Sequence, residues 1–295
     1  MKNRASHTCV TQFYSIPAQL ILSHPQNYKP LEERPMKGKR LIDLSVTLKT
    51  GIASDPPGGL PEIDYISHQQ GAQQLLAGFT GLKKEDLPGG EGWAIEQLRV
   101  TTHVGTHVDA PYHYRSTTDD GQPMLTIDEV PLDWFYGPGV KLDFRHLPDG
   151  HIVSATEIEH ELQRIGHDLQ PGDIVLVHTS AGERYGEDDF MLKGCGFGRE
   201  ATLYLTERGV RLVGTDAWSW DAPFAHTARR YADQQDPSII WEGHYAGSTI
   251  PYCQIEKLAN LNQLPSHGFQ VMAFPVKIEK ASAGWARPVA ILDEV

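Results

Sequence analysis

Cysteine is scarce in these 295 residues: Cys9, Cys195 and Cys253 stand far apart, odd in number and without a CxxC pair. That excludes a disulfide-rich scaffold and a thiolate zinc knuckle, and it fits a reducing cytoplasm. Long apolar runs are missing as well. The N-terminal stretch SHTCVTQFYSIPAQLILSHP is interrupted by Pro17 and falls short of the ~18 residues that cross a bilayer, so no membrane partner is expected. Positive charge is in deficit. With 26 Lys and Arg against 38 Asp and Glu, the net charge is −12, and no basic run offsets it, which argues against nucleic acid as a partner. Several common site signatures are absent: no GxxxxGK[ST] phosphate loop, no GxSxG nucleophile elbow, no HExxH. GCGFG at 194–198 fails as GxGxxG because Arg199 takes the place of the third glycine, and it reads as a flexible loop.

What remains is the composition of an ordinary globular protein, 40% apolar and 22% charged, which excludes wholesale disorder. Residues 1–39 carry Pro17, Pro25, Pro30 and Pro35 without sustained periodicity, and read either as a partly disordered tail or as an arm that packs on a neighbouring subunit. Residues 40–295 contain no Ser/Gly-rich linker and read as one α/β domain with a mixed, β-rich sheet core. LIDLSVTL alternates at period two and predicts a first strand that stops by Gly51. Residues 51–92 are irregular around one short helix. Ser154 and Glu157 form a capping-box pattern that opens a helix closed by Gly166. PGDIVLVHTSAG and VRLVGTDA predict buried strands. REATLYLTERG predicts a helix ending at Gly209, CQIEKLANLNQL has helical spacing, and FQVMAFPVKI predicts a last strand pair or a bent strand.

One segment carries metal-ligand chemistry. In THVGTHVDAPYHYR, His103, His107, Asp109 and His113 follow H-x3-H-x-D-x3-H, and imidazole with carboxylate suits zinc, manganese or iron. Four residues of extended strand span about 13 Å, too far for His103 and His107 to share an ion. A regular helix is disfavoured by the β-branched residues and by Pro111. The chain is therefore expected to bend at Gly105, where no Cβ obstructs an unusual φ. The alternative is a half-buried strand whose histidines are merely solvated. His178 reads as a satisfied strand-end histidine, and His226 as a loop histidine for which a substrate contact is only the alternative. His244 and Glu256 are unremarkable by themselves. Trp218, Trp220 and Trp93 are candidates to clamp a planar substrate, or else core.

HVGTHVDAPYH resembles the signature HxGTHxDxPxH of the cyclase-family metal hydrolases, which include bacterial kynurenine formamidase and isatin hydrolase. LIDLSVTL, PGDIVLVHT, TERGVRLVGTDAWSWD and HYAGSTIPYCQIEKLANL are similar to further segments of that family, with Asp216 and Ser219 in place and His244 twelve residues before Glu256. The resemblance implies a swivelling β/β/α-like fold in dimers or tetramers. It also implies one or two Zn2+ or Mn2+ ions. His103, His107 and Asp109 would hold the first ion, and Asp109, His244 and Glu256 a second where the site is binuclear, with His113 as acid/base. The implied reaction is hydrolysis of a C–N bond in an amide, formamide or lactam of a small aromatic or cyclic substrate, by hydroxide that the ion generates. Lactone opening, ring closure and a non-catalytic, metal-stabilised binding protein are the alternatives. The chain departs from the short formamidases in its arm, in residues 51–92 and in an insertion at 222–243, and loops of this kind build or cover pockets.

Overall fold

Runs of Val, Ile and Leu lay down the middle of a large sheet. The computed structural model describes residues 38–294, so all but the last two positions of the expected arm lie outside the described residues. The strands are β1 (Lys39–Asp43), β2 (Glu62–Ile66), β3 (Ile95–Arg99), β4 (His107–Asp109), β5 (Tyr136–Asp143), β6 (Ile152–Val153), β7 (Ile174–His178), β8 (Gly196–Phe197), β9 (Leu212–Thr215), β10 (Cys253–Glu256), β11 (His267–Met272), β12 (Ala283–Trp285) and β13 (Val289–Asp293). The helices are α1 (His68–Gly78), α2 (Pro111–Tyr114), α3 (Ala155–Ile165), α4 (Arg199–Thr206), α5 (Phe224–Gln234) and α6 (Glu242–Ala246).

Nine strands form one mixed sheet in the order β1-β13-β11-β5-β7-β9-β10-β4-β12, so the α/β, β-rich expectation holds. The centre, β5-β7-β9-β10, is parallel, and antiparallel strands flank it on both sides. Parallel strands are covered on both faces, which is why β7 reads as an unbroken apolar run. Ile174 and Leu176 enter one core cluster with Leu212, Ile255 and Phe269, while Val175 and Val177 enter the other with Ile158 and Leu162 of α3 and Leu205 of α4. Ser154 caps α3 together with Glu157, and Gly166 ends it in the left-handed region at φ +69°, as its sequence predicts. Among the described residues, no helix is long and apolar enough to cross a membrane.

Three expectations fail locally. CQIEKLANLNQL is not a helix: its first four residues are β10, wholly buried between β9 and β4. Cys253 and Ile255 enter the core, while Gln254 and Glu256 point the other way, so a period of two governs where helical spacing had suggested otherwise. Lys257 and Asn260 then adopt left-handed backbone at φ +58° and +59°, which no helix continues through. GCGFG is no flexible loop. It contains β8, buried and paired with β6, and a Cβ on Gly196 would come within 1.9 Å of the Ala222 nitrogen. FQVMAFPVKI yields β11 but is not the last strand, because β12 and β13 follow it.

Candidate active site

The bend at Gly105 is present, with φ +64°. It follows a turn closed by the Val104 N–H on the Thr101 carbonyl, and it lets His103 fold back beside His107, the first residue of β4. The two imidazole centroids are 5.1 Å apart. Asp109 ends β4, and Pro111 at the first position of α2 turns the chain so that His113 Nε2 stands 3.9 Å from Asp109 Oδ2. Strand register brings the remainder. β10 pairs with β4 so that Glu256 lies opposite His107 and Gln254 opposite Asp109. His244 arrives from α6, its ring 5.6 Å from that of His113. All six residues expected at the metal site and its acid/base position therefore converge.

Hydrogen bonds outside the cluster aim these groups inward. His107 Nδ1 bonds the Gly105 carbonyl at 2.8 Å, which leaves Nε2 facing the cluster. His103 Nε2 bonds Ser282 Oγ at 2.9 Å, so Nδ1 faces Asp109. Asp221 accepts from the backbone N–H groups of Gly243 and His244 and sits 2.5 Å from His244 Nδ1, which turns His244 Nε2 to the site. Partners of this kind fix the tautomer and orientation of metal-binding histidines.

The donor set fits a divalent cation. Asp109 Oδ1 is 2.8 Å from His103 Nδ1 and 3.2 Å from His107 Nε2, and His107 Nε2 is 3.6 Å from Glu256 Oε2. Yet both His107 Nε2 and Asp109 Oδ1 are buried without a hydrogen-bond partner. Buried polar atoms without partners are unfavourable, and a cation held among these converging nitrogen and oxygen donors would satisfy both. The electrostatics agree. Burial raises the Asp109 carboxyl, but the neighbouring His107 and His113 imidazoles outweigh it and hold it well below the usual carboxylate range. Burial and the Asp109 charge push Glu256 well above its ordinary value, only partly offset by Lys257. Burial lowers His107 despite Asp109, and it pushes His113 down to about 4. A second position fits less well. His244 Nε2 is 4.0 Å from Asp109 Oδ2 and 3.9 Å from Glu256 Oε1, but the Gln254 amide nitrogen stands among them, 2.5 Å from His244 Nε2 and 3.0 Å from Asp109 Oδ2.

A cavity of about 260 Å³ opens onto the cluster. Its walls come from Asp55, Pro56 and Gly59 of the 51–61 loop, from Trp218 and Ser219, and from Phe224 and Trp241 of the 222–243 insertion. A larger groove of about 690 Å³ around Arg145, His160 and Arg164 contains none of the clustered ligands. Of the three tryptophans expected to clamp substrate, only Trp218 lines the cavity, with its indole N–H on Asp55 Oδ1 at 3.2 Å. Trp220 is core: it is fully buried, stacked on Phe197 at 4.3 Å, and donates to Thr202. Trp93 stands just before β3, exposed, and donates its indole N–H to Gln74 of α1 at 2.7 Å. His178 ends β7 as expected but is not fully satisfied, since its buried Nδ1 has no partner. His226 belongs to α5 and bonds the Leu192 carbonyl.

Trp241 is the aromatic that the sequence did not single out. Its left-handed backbone at the start of α6, φ +57°, lays its ring on His244 and sets it edge-on to His113 at 5.1 Å. Asp221, Gln254, Lys257 and Asp55 also escaped notice. A period-two reading of CQIE would have paired Gln254 with Glu256.

A family model described as "Putative cyclase" matches residues 42–222. The kynurenine formamidase of Salinibacter ruber is 29% identical over 220 residues, spanning 74% of this chain and 88% of its own length. That of Paracidovorax citrulli is 30% identical over 195 residues, spanning 66% and 78%. Isatin hydrolase A from Ralstonia solanacearum superposes with a TM-score of 0.68 at 23% identity, over 87% of this chain and 93% of that one. An isatin hydrolase bound to the product analogue thioisatinate gives 0.67 at 20% identity, over 87% and 94%. These two likenesses speak to the fold.

Proposed function

This chain belongs to the cyclase family, and from that premise we propose that it is a metal-dependent hydrolase that cleaves a non-peptide C–N bond in a small aromatic substrate. The observation that carries the proposal is the buried, unbonded pair His107 Nε2 and Asp109 Oδ1, set behind His103, His113 and Glu256, which line a cavity walled by Trp218, Phe224 and Trp241. His103, His107 and Asp109 would hold one divalent ion, and Glu256, whose carboxylate lies within 4.8 Å of the His107 and Asp109 ligand atoms, would stand beside them; zinc and manganese both suit such nitrogen and oxygen donors. When bound, that ion lowers the pKa of water towards ~7 and polarises a carbonyl oxygen.

The chain's own residues do the rest. Trp241 and Trp218 hold a planar ring in the cavity, and the apolar wall excludes bulk water. His113 is neutral at pH 7, since burial pushes it down to about 4, so its free ring nitrogen accepts a proton from the attacking water. The same imidazolium then delivers the proton to the leaving nitrogen. Asp109, ionised and close to His113 Nε2, stabilises the transient positive charge. Asp221 keeps His244 oriented so that the cavity floor stays rigid.

Exposed Tyr65, Ile95 and Leu98 on the β2–β3 ribbon support assembly as a homodimer or homotetramer, because a lone two-stranded ribbon is marginal in water. Free, buried Cys195 and Cys253 support a cytoplasmic setting.

The test is a substrate comparison on protein loaded with zinc or with manganese. Isatin and N-formylkynurenine represent an aromatic lactam and an aryl formamide, and dihydrocoumarin represents an aryl lactone. Cleavage of either C–N substrate in preference to the lactone supports the proposal. Opening of the lactone alone would replace it with lactone hydrolysis.

A further inference from the structure

Lys257 follows Glu256 directly and is buried almost completely, with 1% of its surface exposed. Its backbone lies in the left-handed region, φ +58°, which side-chain-bearing residues rarely adopt and which persists only where surrounding contacts hold it. Those contacts reach three separate parts of the site. The Lys257 ammonium donates to Asp55 Oδ1 at 2.6 Å and to the His103 carbonyl at 2.8 Å. Its backbone N–H bonds the Ala217 carbonyl, and its own carbonyl accepts from Thr106 Oγ1 at 2.7 Å. Asp55 is a hub in turn. It takes Lys257 and the Trp218 indole on one oxygen and Ser54 Oγ, at 2.8 Å, on the other. Asp55 thus supplies the hydrogen bonds that tie the tip of the 51–61 loop to the site, and that loop brings Pro56 and Gly59 to the cavity wall.

A buried ion pair is weak evidence for stability, because well-packed apolar residues serve as well or better. What a buried pair supplies is a fixed geometry. We propose that Lys257 and Asp55 form a latch that fixes the 51–61 loop as a wall of the substrate cavity and, through the His103 carbonyl, holds that loop in register with the metal-binding bend. Lys257 is a positioning residue with two separable arms: Asp55 for the wall, the His103 carbonyl for the ligand. The proposal rests on the metal-site reading only for its second arm, since the first is a statement about the loop.

Hydrogen–deuterium exchange on the full-length, zinc-loaded protein tests the first arm without calling on any substrate. Asp55→Asn and Lys257→Met should both speed exchange in the 51–61 segment while leaving β7 protected, which reports that the fold is intact. Asp55→Glu keeps the charge and should restore part of the protection. Lys257→Gln is the milder alternative if the methionine variant does not fold. Zinc affinity by chelator competition tests the second arm. It should weaken about tenfold in the Lys257 variant and stay unchanged in Asp55→Asn, which keeps the bond to the His103 carbonyl. Unchanged exchange at 51–61 in both variants would overturn the latch. Equal loss of zinc affinity in both would overturn the separation of its arms. A protein that binds no zinc at all refutes the metal-site reading instead, and the exchange result stands apart from it.

Discussion

Trp241 lies flat on His244, ring centroids 4.3 Å apart and planes 20° from parallel. A residue of the 222–243 insertion thereby covers the one histidine that the H-x3-H-x-D-x3-H segment does not supply, and it shares the cavity lining with Asp55, Pro56 and Gly59 of the 51–61 loop. The insertion is part of the site rather than an ornament on it.

Removing that ring should weaken substrate binding without emptying the metal site. Trp241→Ala is expected to raise KM roughly threefold to tenfold, the equivalent of the ~0.5–1.5 kcal/mol that aromatic pairs contribute beyond area burial. Trp241→Phe should lie between it and the parent. Steady-state kinetics alongside elemental analysis check this, and a loss of metal in Trp241→Ala would mean that the ring supports His244 instead of substrate.

A His113 variant would separate chemistry from ligation. His113→Ala should retain the parent's metal content while kcat falls by ~10²–10⁴, the usual worth of a positioned proton-transfer group. With the imidazole pushed down to about 4, activity should persist into mildly acid solution and fall as the pH drops towards that value, when the base becomes protonated. A variant that loses its metal would make His113 a ligand.

Gln254 carries the expectation of a single ion. Its amide stands between His244, Asp109 and Glu256, so the parent chain should take one equivalent of zinc in a calorimetric titration. Gln254→Ala vacates that space and should allow a second, weaker equivalent. Two equivalents bound by the parent would contradict this reading of the amide.

These residues also mark how far the sequence could be read. His103, His107, Asp109 and His113 were legible because they lie within eleven residues and because Gly105 is the one place where the chain can bend between the first two. The capped helix at Ser154 and the apolar run of β7 were legible for equally local reasons. β10 was not, because Ile255, Leu258 and Leu261 recur at helical spacing although only the first belongs to a strand, and Leu258 and Leu261 each directly follow a residue with left-handed backbone, Lys257 and Asn260. Trp218 and Trp220 look equivalent on paper. They sit in an irregular turn after β9, where no periodicity says which one faces the cavity, and packing against Phe197 settles it. Asp55 acts across long sequence separations, on Trp218 and Lys257, and Trp241 is placed by a left-handed backbone that nothing in the sequence announces.

A pH effect on stability should come from the other side of the sheet. Burial, with Arg145 adding to it, pushes His178 down to about 4, against about 6.5 in an unfolded chain. Between those values the unfolded chain binds more protons, so the contribution of His178 is complete above pH ~6.5 and is lost as the pH falls towards 4. Asp216, raised by burial to about 7, acts in the opposite sense, its contribution fading as the pH rises towards 7. His178→Phe should therefore flatten the acid limb of the melting curve between pH 6.5 and 4, recovering on the order of 1–2 kcal/mol at the acid end. Thermal melts across that range check it, and an unchanged slope would contradict it.

The central claim is that one divalent ion held by the His103–His107–Asp109 bend is required for hydrolysis of an aromatic C–N bond. The most direct measurement is turnover of isatin and of N-formylkynurenine by chelator-stripped protein as zinc or manganese is added back stepwise. The account predicts no turnover in the stripped protein and, for at least one of the two substrates, a rise that breaks at one equivalent. Full turnover in the stripped protein, or none at any metal loading, would contradict it.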